Sequence, residues 1–244
     1  MSDSVSTISA VRRVIGAFTV IAIGVGAIGG VAWFLNRGMV DQEPPVQAVV
    51  RGTIDTPRGT LPHAFVELSV YADSVSGNVH GGEDGLHPGY VSYGPGSHLI
   101  LPANSYVTLT IKGYDGGEHL NHDAWRKVMG TADGTVLYNG VARKELGPEE
   151  VQHTFTVHAI PNPKQDSFFL NIPVLKQTDE VMEKFDETGV LPEPTITVAS
   201  FYTGSAGEYV WNCEFPCGDG TYAKFGAAMS EWGYMSGRIS VVQG

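Results

Sequence analysis

Cys213 and Cys217, separated by three residues, are the only thiols in this 244-residue chain, and they mark where chemistry is to be sought. They fall in Gly207-Glu208-Tyr209-Val210-Trp211-Asn212-Cys213-Glu214-Phe215-Pro216-Cys217-Gly218, a strand-like run that breaks into a Pro- and Gly-containing loop. In an oxidising compartment two such thiols readily close a disulfide, although the short spacing is tight for the bridge geometry. Thiolates and thioethers are also soft metal donors, and Met229 and Met235 follow in the same stretch. A third feature is His153, at the entrance of Glu150-Val151-Gln152-His153-Thr154-Phe155-Thr156-Val157-His158. A lone histidine at a strand end is more often a hydrogen-bonded structural residue than a ligand, so His153 gains meaning only beside the cysteines. The cluster Asp115, Glu118, His119, His122 and Asp123 matches no zinc spacing and reads as a solvated turn. No G-x-S-x-G, H-E-x-x-H or phosphate-cradling glycine loop occurs, so no catalytic constellation is assigned.

The elements that must position these residues follow a period of two. Val66, Leu68, Val70 and Ala72 alternate with Glu67, Ser69 and Tyr71, and Val107, Leu109 and Ile111 alternate with Thr108, Thr110 and Lys112. Further strands are predicted over 135–139, 151–159, 168–174, 195–202, 208–213 and 237–242. In the strand over 151–159, His153, Phe155, Val157 and Ala159 share the core face, while Gln152, Thr154, Thr156 and His158 take a polar face, where His158 is not expected to be a ligand. Tyr209, Trp211 and Cys213 share one phase and should fill the core together. Only residues 178–188 read as helix, with acids in the first turn, Val181, Met182 and Phe185 on one face and Gly189 past the end. Many short strands with one helical insertion predict an all-β fold, a Greek-key sandwich or barrel, over residues 48–244.

Ahead of that domain, residues 14–35 carry no charge and span ~33 Å as a helix, enough for a bilayer core. This length predicts a retained transmembrane anchor rather than a cleaved signal peptide, and Arg12 and Arg13 place the N-terminal residues 1–13 in the cytoplasm. Trp33 falls at an interface position, and Gly26 and Gly30 make one helix-packing GxxxG. Residues 36–47, with Asp41, Glu43, Pro44 and Pro45, read as an extended linker. The expected location is therefore the plasma membrane, single-pass, with the C-terminal domain outside. Outside residues 1–35, the chain keeps 25 of its 26 acids and 13 of its 15 bases, a balance that excludes a nucleic-acid partner and favours basic ones.

The order of these motifs carries a resemblance. G-x-Y-x-x-x-C in a strand, a loop, then Met235-Ser236-Gly237 leading into a final strand, with His153-Thr154-Phe155-Thr156 upstream, resembles the cupredoxin superfamily across roughly residues 100–242. The resemblance implies a Greek-key sandwich with copper at one end, and an electron carrier rather than an independent enzyme. By position it makes His153 the first imidazole, Cys213 the thiolate and Met235 the axial thioether, with Met229 a further soft side chain inside the loop. Cys213-x-x-x-Cys217-Gly218 is also similar to the dinuclear copper domain in subunit II of haem-copper oxidases, which makes Cys217 a second thiolate and a respiratory oxidase or cytochrome complex the partner. No histidine follows Cys213, and Thr221 and Lys224 stand where the dinuclear pattern has its second histidine and its methionine. Three readings of the pair stay open: a disulfide in a copper-free accessory subunit, copper held by Cys213, Cys217, His153 and a methionine in electron transfer or Cu(I) storage and delivery, and a site completed by His80, His87 or His98 from the Gly-rich stretch 76–98.

Overall fold

The computed structural model describes residues 2–38, 44–73, 75, 90–117, 122–159, 164–218, 226–229 and 232–243. It divides into two compact units, Met1–Val40 and Asp41–Gly244.

The first unit is helix α1, Ser2–Gly38. Its segment Arg12–Trp33 has a mean hydropathy of 2.2 and is long and apolar enough to cross a membrane. Thr19, the polar residue in mid-run, turns its hydroxyl back onto the Ile15 carbonyl at 2.9 Å, so its hydrogen bond is made within the helix.

The second unit is built from β1 (Val46–Gln47), β2 (Val49–Thr56), β3 (Gly59–Tyr71), β4 (Ser92–Gly94), β5 (Leu99–Pro102), β6 (Tyr106–Gly113), β7 (Val136–Tyr138), β8 (Val141–Arg143), β9 (Val151–Ala159), β10 (Phe169–Leu175), helix α2 (Asp179–Thr188), β11 (Thr195–Tyr202), β12 (Gly207–Asn212) and β13 (Ser236–Val242). One sheet runs β1-β5-β13-β12-β9-β10 and the other β2-β3-β6-β11-β7-β8, with β4 on β3. β1 with β5, β5 with β13 and β3 with β6 are parallel, and the other pairs are antiparallel. The chain passes repeatedly from one sheet to the other, giving a Greek-key sandwich with mixed sheets. Leu68, Leu109, Ile111 and Phe201 from one sheet meet Leu99, Leu101, Phe155, Val157, Trp211 and Ile239 from the other in a single core.

The alternating segments became strands within a residue or two of their expected bounds, except that β3, expected over 63–73, begins four residues earlier, at Gly59; alternation is what a sheet with one face on a core imposes. Helix α2 is capped as its sequence demands: the Thr178 hydroxyl accepts the Val181 N–H, and Gly189 ends the helix at φ 65°. Three features differ from expectation. β2, β4, β5 and β8 were not legible, since β2 is largely exposed on both faces and the other three are only three or four residues long. Val46 and Gln47, placed by the sequence in the linker, pair with Leu99 and Ile100. The supposed polar face of β9 is not solvated either. Gln152, Thr154 and Thr156 are as buried as Phe155 and Val157, and β10 supplies part of their hydrogen bonding: Gln152 donates to the Leu175 carbonyl and Thr156 to Asn171 Oδ1 at 2.7 Å, while Gln152 Oε1 is left without a partner.

The entry to β9 is fixed by an ion pair. Arg143 reaches both carboxylate oxygens of Glu150 at 2.9 and 2.6 Å, and the Gly147 N–H donates to the same group. The Arg143 hydrogen bonds, against a smaller opposing effect of burial, bring the Glu150 carboxyl down to about 2. A carboxylate depressed in the folded state stabilises it above the unfolded-state pKa of ~4.3 and loses that contribution as pH falls. Because both side chains are about a third or more exposed, Glu150→Gln should cost about 1 kcal/mol or less at pH 7. In urea melts across pH, the gap between the two proteins should be full at pH 7, narrow below pH ~4.3 and close near pH 2; a pH-independent gap would show that packing, not charge, is lost.

Candidate metal centre

The pairing of β9 with β12 brings the sulfur loop to the histidine. Thr156 faces Asn212 and Val157 faces Trp211 in antiparallel register, so the chain leaving β12 after Asn212 runs on alongside Phe155 and Thr154. Two hydrogen bonds continue the contact, the Thr154 N–H donating to Cys213 Sγ at 3.3 Å and the Glu214 N–H to Thr154 Oγ1 at 2.8 Å, while within the loop the Phe215 N–H donates to Cys213 Sγ at 3.4 Å. On its other side Cys213 donates its N–H to the Met235 carbonyl at 2.9 Å, extending the β12–β13 ladder by one residue. Met235 in turn donates to the Ala228 carbonyl, and Ala228 to the Cys217 carbonyl. The backbone thus ties both cysteines and Met235 to one end of the sandwich.

There His153, Cys213 and Cys217 form a buried cluster. Nδ1 of His153 lies 3.3 Å from Cys217 Sγ and 3.8 Å from Cys213 Sγ, and the sulfurs, both free thiols, are 3.6 Å apart. Nε2 of the same ring lies 2.7 Å from Asp115 Oδ2. Burial works against each charge in this set, but the partners outweigh it. Burial alone would lower His153, yet Asp115 and Cys213 raise it to about 9. Burial would raise Cys213, yet the Cys217 and His153 hydrogen bonds hold it well below its ordinary value. Burial would likewise raise Asp115, which His153 and the Gly117 and Gly116 N–H groups bring down. The arrangement is a carboxylate, an imidazolium and a thiolate in sequence, and a thiolate is the form that binds metal. Tyr93, fully buried beneath the sulfurs, is pushed well above its usual range, by burial first and then by the two cysteines. It stays a neutral donor, to the Thr154 carbonyl at 3.2 Å.

The donor set fits one soft ion. Bonds of ~2.3 Å to sulfur and ~2.0 Å to imidazole nitrogen, at a near-tetrahedral angle, separate the donors by ~3.5–3.8 Å, close to the observed 3.3, 3.6 and 3.8 Å. The ring nitrogen turned to the sulfurs is the one not occupied by a carboxylate, as metal-binding histidines require.

Of the residues singled out in the sequence, the fold brings His153, Cys213 and Cys217 together and places buried Met235 beside Cys213 through the backbone. Met229 lines a surface pocket with Asn212, Trp232 and Gly237. His98 bonds Ser240 on β13, while His80, His87, Thr221 and Lys224 lie outside the described residues. Tyr209 and Trp211 fill the core, as their phase required. Asp115 corrects the reading of its turn as solvated: the residues before Glu118 fold back onto β9, and Asp115 becomes the partner of His153, while Glu118 and His119 lie outside the described residues. His158 is half-buried and paired with Glu214 at 2.9 Å. That pair was hidden in the sequence, although Glu214 between the cysteines and His158 on the strand's second face were its available signals.

Fold and side chains together define a β-sandwich with a buried sulfur–imidazole cluster at one end. Among solved structures, the chain is similar to the copper protein rusticyanin, at 14% identity over 74% of this chain and 82% of that one with a TM-score of 0.32. It is also similar to reduced rusticyanin in solution, at 13% identity over 78% and 85% with a TM-score of 0.31, and to auracyanin B, at 14% identity over 80% and 97% with a TM-score of 0.28. No protein-family model and no curated protein matches the sequence.

Thr154 is the hinge between strand and loop, since its hydroxyl accepts the Glu214 N–H and, with the Thr156 proton committed to Asn171, donates to Thr156 Oγ1 inside the protein. Thr154→Val keeps the shape and removes that acceptor, so unfolding by urea should show a loss of about 1–3 kcal/mol. An unchanged midpoint would mean that the loop is held by the cysteines alone.

Proposed function

We propose that this chain is a membrane-anchored, cupredoxin-like copper protein that carries single electrons beside a respiratory membrane complex. The observation that supports this reading is the convergence of His153 Nδ1 and two cysteine sulfurs in a buried site. Thiolate and imidazole donors select copper among the common redox metals, and copper, when bound, supplies a one-electron couple. The chain's own part is to hold the donors in place and to exclude water, which Phe215 at 6.2 Å from the His153 ring and the fully buried Tyr93 accomplish. In this reading His153, Cys213 and Cys217 are ligands, with Met235 as the thioether and Met229 as a further soft donor. The paired cysteines give the site its likeness to the dinuclear copper domain of haem-copper oxidase subunit II. Residues 14–35 of α1 anchor the protein, residues 36–45 tether it, and residues 46–244, which include β1, form the domain outside the membrane, with residues 1–13 in the cytoplasm.

Two other outcomes have a specific basis. One imidazole and two thiols, without a second histidine at the cluster among the described residues, also suit Cu(I) storage or delivery. The 3.6 Å between the sulfurs equally suits a copper-free accessory subunit in which Cys213 and Cys217 oxidise to a disulfide.

Titrating the reduced full-length chain in detergent with one and two equivalents of copper, followed by optical and electron paramagnetic resonance spectra after oxidation, separates the three. An intense thiolate-to-copper band with narrow hyperfine splitting, abolished in Cys213→Ser, is the expected result. Tight Cu(I) uptake that leaves no thiolate–Cu(II) band on oxidation would turn the reading to storage, and binding indifferent to Cys213→Ser would leave the accessory subunit.

A further inference from the structure

We propose that Asp115 is the positioning residue of this cluster, and that the α2 insertion between β10 and β11 serves to hold Asp115 against His153. The inference deepens the copper reading and rests on it for its metal-binding arm. An imidazole can carry its proton on either nitrogen and can turn its ring over, so burial alone does not aim Nδ1 at the sulfurs. The carboxylate 2.7 Å from Nε2 does. It holds the Nε2 proton as its hydrogen-bond donor and so keeps Nδ1, whose proton must leave when metal binds, turned toward Cys213 and Cys217.

Asp115 is itself fixed from several sides. Its carbonyl accepts the Gln177 N–H at 3.0 Å, and its carboxylate accepts from the Gly116 and Gly117 N–H groups. Gly117, at φ +62°, lies so close to β9 that a Cβ would stand 2.2 Å from the Gln152 Cα, so the turn presses directly on the residue before His153. Gly116 is closed off by Met182 of α2, whose Cγ would be 3.0 Å from an added Cβ. Gln177, just ahead of α2, bridges the Gly113 and Glu193 carbonyls at 3.0 and 2.7 Å, which closes the insertion onto the end of β6. Helix α2 therefore packs directly against the Asp115 turn.

The test uses the full-length chain in detergent, reduced and metal-free, labelled with nitrogen-15 in histidine, with the His153 signals assigned by their loss in His153→Gln. Wild type should show the ring protonated at Nε2, with that proton slow to exchange. Asp115→Asn, which can still accept from Nε2–H through Oδ1, should keep this pattern, while Asp115→Ala should lose the slow proton and populate the Nδ1–H form. Cu(I) affinity, measured by competition with a chromophoric chelator, should fall about 10- to 100-fold in Asp115→Ala and less in Asp115→Asn. Ring signals and affinity within twofold of wild type in Asp115→Ala, or a wild-type ring protonated at Nδ1 and not Nε2, would overturn the assignment. Should wild type take up no Cu(I), the copper reading fails and the ring signals alone decide the role of Asp115. Should Asp115→Ala not fold, the wild-type and Asp115→Asn ring signals decide it.

Discussion

The antiparallel pairing of β9 with β12 is the constraint on which the rest depends. With Val157 fixed opposite Trp211, His153 and Cys213 have to meet where the ladder ends, and the loop needs only three further residues to return Cys217 to the same ring. The β12–β13 pairing adds Met235 on the other flank. A site assembled in this way inherits the rigidity of two ladders rather than the mobility of a surface loop, which is the condition for donors to be held at fixed separations.

Such a site concentrates charge where water is absent, and buried charges are costly unless each is paired. Here the pairing is serial: Asp115 offsets His153, His153 offsets Cys213, and the Thr154 and Phe215 amides complete the sulfur's hydrogen bonds. Removal of any member leaves its neighbour buried and uncompensated, so the members act as a unit. The same logic accounts for Tyr93, whose phenol beneath the sulfurs keeps its proton and adds no further negative charge.

Much of this was legible in the sequence. Alternation located most of the strands that frame the core, the acidic first turn and Gly189 delimited α2, and the resemblance carried by the order of His153 and Cys213 implied that they meet at one end of the sandwich, as they do. What could not be read depends on contacts between segments distant in the chain. Asp115 looked like one acid among several in a glycine-containing turn, and only the fold of that turn onto Gln152 makes it the partner of His153. The polar residues of β9 gave no sign of their burial, because period two reports which side chains are alike, not which face is covered. β2 carried no usable pattern, because an exposed strand has no buried face to impose one.

The covered polar face of β9 also bears on how the chain selects one fold over its near neighbours. A strand buried on both sides by apolar groups can slide along its partners and lose little. In β9 one side carries Phe155 and Val157, which need an oily interior, and the other carries Gln152, Thr154 and Thr156, each matched to a particular acceptor or donor. A slip by one residue would drive the amide and hydroxyls into the aromatic core and the phenyl ring into the polar seam, and so would be penalised on both sides at once. The threonines thus work as a key that admits a single alignment, and the metal-binding end of the molecule is set correctly because this strand has only one way to lie.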